Sequence, residues 1–320
     1  MTSSVPLAAA APPKRNVWLW RSLQLVATLG AFAYLAHLID AAQLLDALRR
    51  VSAGSLLAVF ALLAASLTLG ALRWWLLFRA FRAPHPPGFV QLWRYYLVGF
   101  FYNTLLPGGV GGDLVRGLAS RAAFGSATAG IATVLVDRAL GLCGLLAVVS
   151  VVSLVHPLPI LGQVWLPGVL GLAGVAALIV GLRSARALGR VAPSWLRRWL
   201  VRLPQAERWL PLAAAWGLSL LTQILPSYAG YLLLASSTPD ARFKDALLFL
   251  PLAAASAYLP ISVSGAGVRE VLLVKLYASV GVSSSSALAM SILLWCTQAL
   301  IAAFGGVHTL LWPLPSDGER

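Results

Sequence analysis

Residues 105–116 read LLPGGVGGDLVR, and residues 259–269 read LPISVSGAGVR. In both, a Leu-Pro pair (Leu106-Pro107, Leu259-Pro260) leads through glycines to an arginine at the same spacing, Arg116 and Arg269. Proline removes a backbone donor and glycine raises the entropic cost of helix, so each stretch breaks the apolar helix that precedes it. Both arginines border long uncharged runs. An ionised side chain in hydrocarbon costs about 2.5–3.5 kcal/mol even on the lenient insertion scale, so charges repeated at helix breaks are functional candidates. The competing reading is chance recurrence in a chain rich in leucine and glycine.

Outward from these breaks, the composition names the solvent. Of 320 residues, 59% are hydrophobic and 11% charged, and the mean hydropathy is +0.83, which places the chain in a membrane. Uncharged runs cover 51–72, 95–112, 139–182, 209–239, 246–268 and 276–316, several of them reaching the roughly 20 residues a spanning helix needs. The first apolar segment, 17–38, is read as a retained helix, since no small-residue cleavage site follows it. Cys143 and Cys296 sit alone in apolar helices and read as filler, and the four histidines are scattered, so neither a disulfide framework nor a metal site is expected. No phosphate loop, His-Glu-x-x-His or nucleophile elbow occurs, so ATP-driven pumping and familiar hydrolase chemistry have no support and no cofactor is expected.

The net charge of +14 is not a nucleic-acid footprint, because the arginines cluster in short loops. The stretch 183–208 carries seven arginines against Glu207 alone, and by the positive-inside rule it is cytoplasmic, as are Lys14, Arg15, Arg79, Arg82, Arg94 and Arg121. The loop HPLPILGQ from His156 carries no Lys or Arg and is external. The stretch APSWLRRWLVRLPQAERW, with Trp195, Trp199 and Trp209, also suits an anionic membrane surface.

Orientation decides how the glycine-rich stretches sit. A crossing over 95–118 would place the basic loops on either side of it on opposite faces, so 95–121 is expected to be a re-entrant hairpin. Residues 95–105 form a helix about 16 Å long, half of the ~30 Å core. Residues 246–281 are expected to form a second hairpin, around Pro260, Gly265 and Gly267. Three crossings, 127–154, 163–182 and 209–235, separate the two, so the hairpins enter from opposite faces. The expected fold is an all-α polytopic membrane protein with about six spanning helices and two re-entrant hairpins in an inverted-topology repeat. Its parts are a cytoplasmic tail (1–16), a first membrane repeat (17–155), a second (156–313) and a C-terminal tail (314–320).

The segments GFFYNTLLPGGVGGDLVRG (99–117), VDRALGL (136–142) and PISVSGAGVRE (260–270) resemble signature segments of the flippase-like family, also called the lysylphosphatidylglycerol synthase transmembrane region. That family is similar to the N-terminal membrane half of the bacterial multiple peptide resistance factor. The resemblance implies a bacterial inner-membrane protein, multi-pass with both termini cytoplasmic, that moves a lipid between leaflets. It does not extend to the aminoacyl-transferase part, for which the chain past its last apolar run leaves no room.

A lipid translocase must give an anionic headgroup a polar path through hydrocarbon. Arg116 and Arg269 are the candidate phosphate holders, since the guanidinium fork matches phosphate oxygens and stays charged. Backbone amides of Gly108, Gly109, Gly111, Gly112, Ser264, Gly265 and Gly267 would add donors at half-helix ends, with tight helix packing as the competing role for the glycines. Asn103, Gln223 and Gln298 are uncharged candidates for the cavity. Asp137 and Arg138 lie deep in the third helix and point about 100° apart, so each needs a partner among Asp113, Arg116, Arg269 and Glu270. Two roles follow for these charges: a buried network pinning the hairpins, or a carboxylate that releases its arginine, and takes up a proton, when phosphate arrives. Arg73-Trp74-Trp75 reads as an interfacial anchor. The expected partners are membrane lipids, an anionic phospholipid first. A homo-oligomer is compatible with the sequence, and nucleic acid is not a partner. A membrane enzyme acting on a lipid-linked headgroup, with Asp113, Asp137 or Glu270 as base, and an accessory subunit of a lipid synthase or glycosyltransferase are the alternatives.

Overall fold

Lipid offers the backbone no hydrogen-bond partner, so a chain this apolar must satisfy its amides within helices or a closed barrel. The computed structural model describes residues 17–105, 111–156, 206–256 and 266–311, with isolated positions between 169 and 197, and every regular element among them is a helix. They are α1 (Val17–Leu38), α2 (Ala41–Arg49), α3 (Ala53–Ala80), α4 (Phe89–Leu105), α5 (Gly111–Ala119), α6 (Arg121–Phe124), α7 (Ala127–Val155), α8 (Trp209–Ala235), α9 (Phe243–Ala255), α10 (Val268–Ala278) and α11 (Ser284–Leu311). Four of them, α3, α7, α8 and α11, are long and apolar enough to cross a membrane, and α1 with α2 makes a fifth if that pair, bent by 88°, is one span. The bend has a local cause. Asp40 accepts hydrogen bonds from the amides of Ala42 and Gln43, and Ser52 accepts one from Ser55, so each polar residue starts a new helix where the previous one stops.

The expected first helix at 17–38 and the expected crossings at 127–154 and 209–235 each coincide with a helix, and the uncharged runs 51–72 and 276–316 overlap α3 and α11. The expected crossing at 163–182, the arginine-rich stretch with Trp195 and Trp199, and the breaks at 106–110 and 257–265 lie outside the described residues. Two details differ from expectation. The first limb of hairpin one starts at Phe89 rather than at residue 95, so α4 is 17 residues long and carries Arg94 inside it. Cys143 is buried, but Cys296 is exposed on α11 and so is not core filler.

The packing has a pattern. Helix α3 lies against α8, α4 against α11, and α9 against α7, while each hairpin's limbs pair with one another. Exchanging α3 with α8, α4 with α9, α5 with α10 and α7 with α11 carries these neighbour pairs onto one another, including α5 on α7 with α10 on α11. Because lipid tails are as apolar as leucine, close backbone approach through small residues holds such a bundle together. Gly144 faces Ser219 of α8, Gly130 faces the α5–α6 junction, and Gly305 lies on the backbone of Leu97 in α4.

The tightest approach is within hairpin one, where Gly112 of α5 lies against the carbonyl of Gly99 in α4. A methyl group at Gly112 would meet that carbonyl and come within 2.7 Å of the Asn103 side chain. Gly112→Ala is therefore expected to cut the yield of monodisperse protein sharply in fluorescence-detected size-exclusion chromatography. Gly30→Ala, whose Cβ would have nothing within 4 Å, should leave the yield unchanged.

Candidate functional site

Hairpin one is held by a chain of buried charges. Asp137 lies near the middle of α7 and is 1% exposed. Its Oδ1 accepts a hydrogen bond from Nε of Arg73 at 2.7 Å, and its Oδ2 accepts one from Nη2 of Arg116 at 2.8 Å. Asp113, at the start of α5, pairs with Arg138 of α7 and lies 3.6 Å from Nη1 of Arg116. Arg116 is 4% exposed, with its guanidinium 4.4 Å from the ring of Trp74 and 4.2 Å from that of Tyr96. Two ring faces and two carboxylates thus surround a cation that hydrocarbon could not hold. Asn103 completes the hairpin: its Oδ1 accepts from the amide of Gly112 at 2.8 Å, and its Nδ2 donates to Asp113 at 3.2 Å. One side chain therefore caps α5 and orients its carboxylate.

Among the described residues, the ion-pair network at hairpin two is smaller. Gly267 stands at φ +81, and any Cβ there would come within 2.8 Å of Ala31 on α1, so both the backbone angle and the crossing of α1 demand glycine. The Glu270 carboxylate turns back to accept from the Gly267 amide at 2.7 Å. Its other oxygen accepts from Nε and Nη2 of Arg269 at 2.9 and 2.6 Å, and from the Ser291 hydroxyl of α11 at 3.2 Å. Glu270 is buried, while the Arg269 side chain keeps 24% of its surface. The remaining nitrogen of Arg269, Nη1, makes no hydrogen bond with the described residues.

Three cavities border Arg73, Arg269 or Glu270. One of about 220 Å³ is lined by Arg73, Tyr96, Ser66, Thr222, Gln223 and Gln298. A second, of about 90 Å³, shares Gln223, Pro226 and Gln298 with the first, adds Ser227, Ser291 and Arg269, and is otherwise walled by apolar residues such as Leu250, Leu273 and Leu294. Arg269 and Ser291 also border a third of about 570 Å³, whose other walls are almost wholly apolar. Pro226 lies inside α8 and cannot bond to the carbonyl of Thr222 one turn earlier. The Ser66 hydroxyl of α3 donates to that carbonyl at 3.3 Å, so a helix defect faces the polar space and is satisfied there.

The structure brings Arg116, Asp113, Asp137, Arg138 and Asn103 together in one network, and Arg269, Glu270 and Gly267 in another. The first network reaches these cavities through Arg73, which is bonded to Asp137, and the second through Arg269. Gly111 opens α5, and Gly112 is occupied by helix packing; Gly108, Gly109, Ser264 and Gly265 lie outside the described residues. Gln223 and Gln298 line the first two cavities. Arg73 departs from the interfacial reading: it is 6% exposed, with Trp74 fully buried behind it. The helix runs on through Trp74, Trp75, Leu76, Leu77 and Phe78 to Ala80, and that apolar continuation was the available sign that Arg73 is internal.

A family model described as the lysylphosphatidylglycerol synthase TM region matches residues 21–305 of the chain. No curated protein matches it.

Proposed function

Since the chain belongs to the lysylphosphatidylglycerol synthase TM region family, and is thereby a multi-pass membrane protein tied to lipid biosynthesis or translocation, we propose that it carries the anionic headgroup of a membrane lipid between leaflets along the polar track from Arg73 to Arg269. The observation that carries this reading is the pair of adjoining cavities, one of mixed polarity and one mostly apolar, that share Gln223, Pro226 and Gln298 and border an arginine each. A phosphate crossing hydrocarbon needs a charge or a donor at each step, and a guanidinium at either end with amides and hydroxyls between supplies them.

In this mechanism Arg269 offers its Nη1 edge to a phosphate oxygen without breaking its bonds to Glu270. Arg73 receives the phosphate at the other end, while Asp137 keeps it oriented. Arg116 is the strut that fixes Asp137, because both of its neighbouring carboxylates and two rings already engage it. Asp137 meets two arginines at once, so loss of one leaves the other in place, which favours a pinning role over proton exchange. The self-consistent exchange of neighbours between the two halves supports an inverted repeat, in which the hairpins enter from opposite faces and alternate in opening. With the arginine-rich stretch cytoplasmic, both termini face the cytoplasm of a bacterial inner membrane.

The test is transbilayer movement of labelled phosphatidylglycerol in proteoliposomes. The protein should accelerate movement above protein-free vesicles, and Gln298→Trp, which plugs both cavities, should slow it by ~10-fold or more, the equivalent of about 1.4 kcal/mol. Wild-type rates equal to those of protein-free vesicles for every anionic lipid tried would refute the reading. So would a plugged variant that moves lipid at the wild-type rate while its melting temperature is unchanged.

A further inference from the structure

The 570 Å³ cavity is a different kind of space from the polar track it adjoins. Its walls are Phe32 and Leu35 of α1, Leu44 of α2, and Leu288, Ile292 and Trp295 of α11, with Arg269 and Glu270 at one end. The bend between α1 and α2 folds the chain over it. It opens toward lipid past Phe32 and Trp295, which are 48% and 50% exposed, while Leu35 and Leu288 within it are 3% and 9% exposed.

We propose that this groove is the seat of one hydrocarbon tail of the transported lipid, whose phosphate lies on Nη1 of Arg269. The inference rests on the translocation reading and deepens it: the protein recognises a tail as well as a headgroup, rather than leaving both tails in the bilayer. Charge and polarity decide the occupant. Hydrocarbon alone would leave a guanidinium edge that no described residue satisfies facing an apolar phase, which is costly. A free phosphate would satisfy Arg269 but leave the apolar walls against water. An amphiphile with an anionic head next to a long tail satisfies both ends at once. The two are in register because Arg269 and Ser291 belong to the tail groove and to the polar track alike.

The experiment uses the full-length protein in vesicles of phosphatidylcholine and phosphatidylglycerol containing a phosphatidylglycerol probe with a diazirine in one tail. After irradiation, labelled residues are located by mass spectrometry. Annular lipid will label Leu154 and Leu310, which are 71% and 85% exposed, whatever the groove holds. The proposal expects additional label on Leu288 and Leu35, removed by excess unlabelled phosphatidylglycerol but not by glycerol 3-phosphate. Ala36→Trp, or Ala41→Trp should the first variant express poorly, fills the groove without touching Arg269. Either should lose label at Leu288 and Leu35 while keeping it at Leu154 and Leu310, and should slow movement of the probe. Label confined to the annular residues in the wild type overturns the proposal, including the case in which another stretch of the chain or a second copy fills the groove. Movement that persists in that case leaves translocation standing. Groove label with no movement across the bilayer leaves the tail site standing and refutes translocation instead.

Discussion

Asp137→Asn is expected to cost the protein its fold. The wild-type carboxylate accepts from Arg73 through one oxygen and from Arg116 through the other, and all three side chains are almost fully buried. An asparagine at that position is isosteric but neutral, and its amide group turns a donor toward a guanidinium. Breaking a buried pair from one side costs about 3–5 kcal/mol, a large fraction of the 5–15 kcal/mol typical of a native protein. Here the loss spreads across α3, α5 and α7, which the network joins. The expected result is a large drop in monodisperse yield and a lower melting temperature in detergent. The double variant Asp137→Asn with Arg116→Gln removes one charge of each sign, keeps the net local charge, and should recover part of the loss. If Asp137 were instead a proton carrier, Asp137→Asn would fold normally and show transport with a flat pH profile; that outcome would sink the pinning role.

The helix ends at Leu105 and Ala255, each just before an expected break, were legible because proline and glycine act locally. Helix α1 coincides with the expected 17–38 for the same reason, since a charge or a cap ends each apolar run. The ionic partners were harder to see. That Asp137 and Arg138 must pair away from each other follows from 100° per residue, and Arg116 and Asp113 were among the expected partners. Arg73 was not, because it closes an uncharged run and so looked terminal, whereas the apolar residues behind it carry α3 on to Ala80. Which arginine faces open space is a tertiary fact. Arg116 and Arg269 are equivalent in spacing, but Arg116 meets Asp113, Asp137, Trp74 and Tyr96, while among the described residues Arg269 has Glu270 alone as its ionic partner. The glycines divide in the same way. Gly112 and Gly267 were expected to offer their amides to a headgroup, with tight packing as the competing role; the amides are taken by Asn103 and Glu270, and a neighbouring helix packs on each glycine.

Arg269→Ala is expected to reduce the initial rate of phosphatidylglycerol movement by ~10- to 100-fold, which corresponds to losing a charge-assisted hydrogen bond of about 1.5–3 kcal/mol at the step that holds the phosphate. The single substitution also strips Glu270 of its cation, so a structural contribution has to be separated from the functional one. Glu270 keeps its bonds from the Gly267 amide and the Ser291 hydroxyl, and the accompanying fall in melting temperature should be modest compared with that of Asp137→Asn. The double variant Arg269→Ala with Glu270→Gln removes the leftover negative charge and should restore thermal stability. It should not restore transport, because no guanidinium remains between the polar track and the apolar groove. Arg269→Lys keeps the charge but not the fork that bonds Glu270 and phosphate together, and its rate should fall between the two. Transport that recovers in the double variant along with stability would mean that Arg269 serves only to neutralise Glu270, and the phosphate path would then have to be sought elsewhere in the bundle.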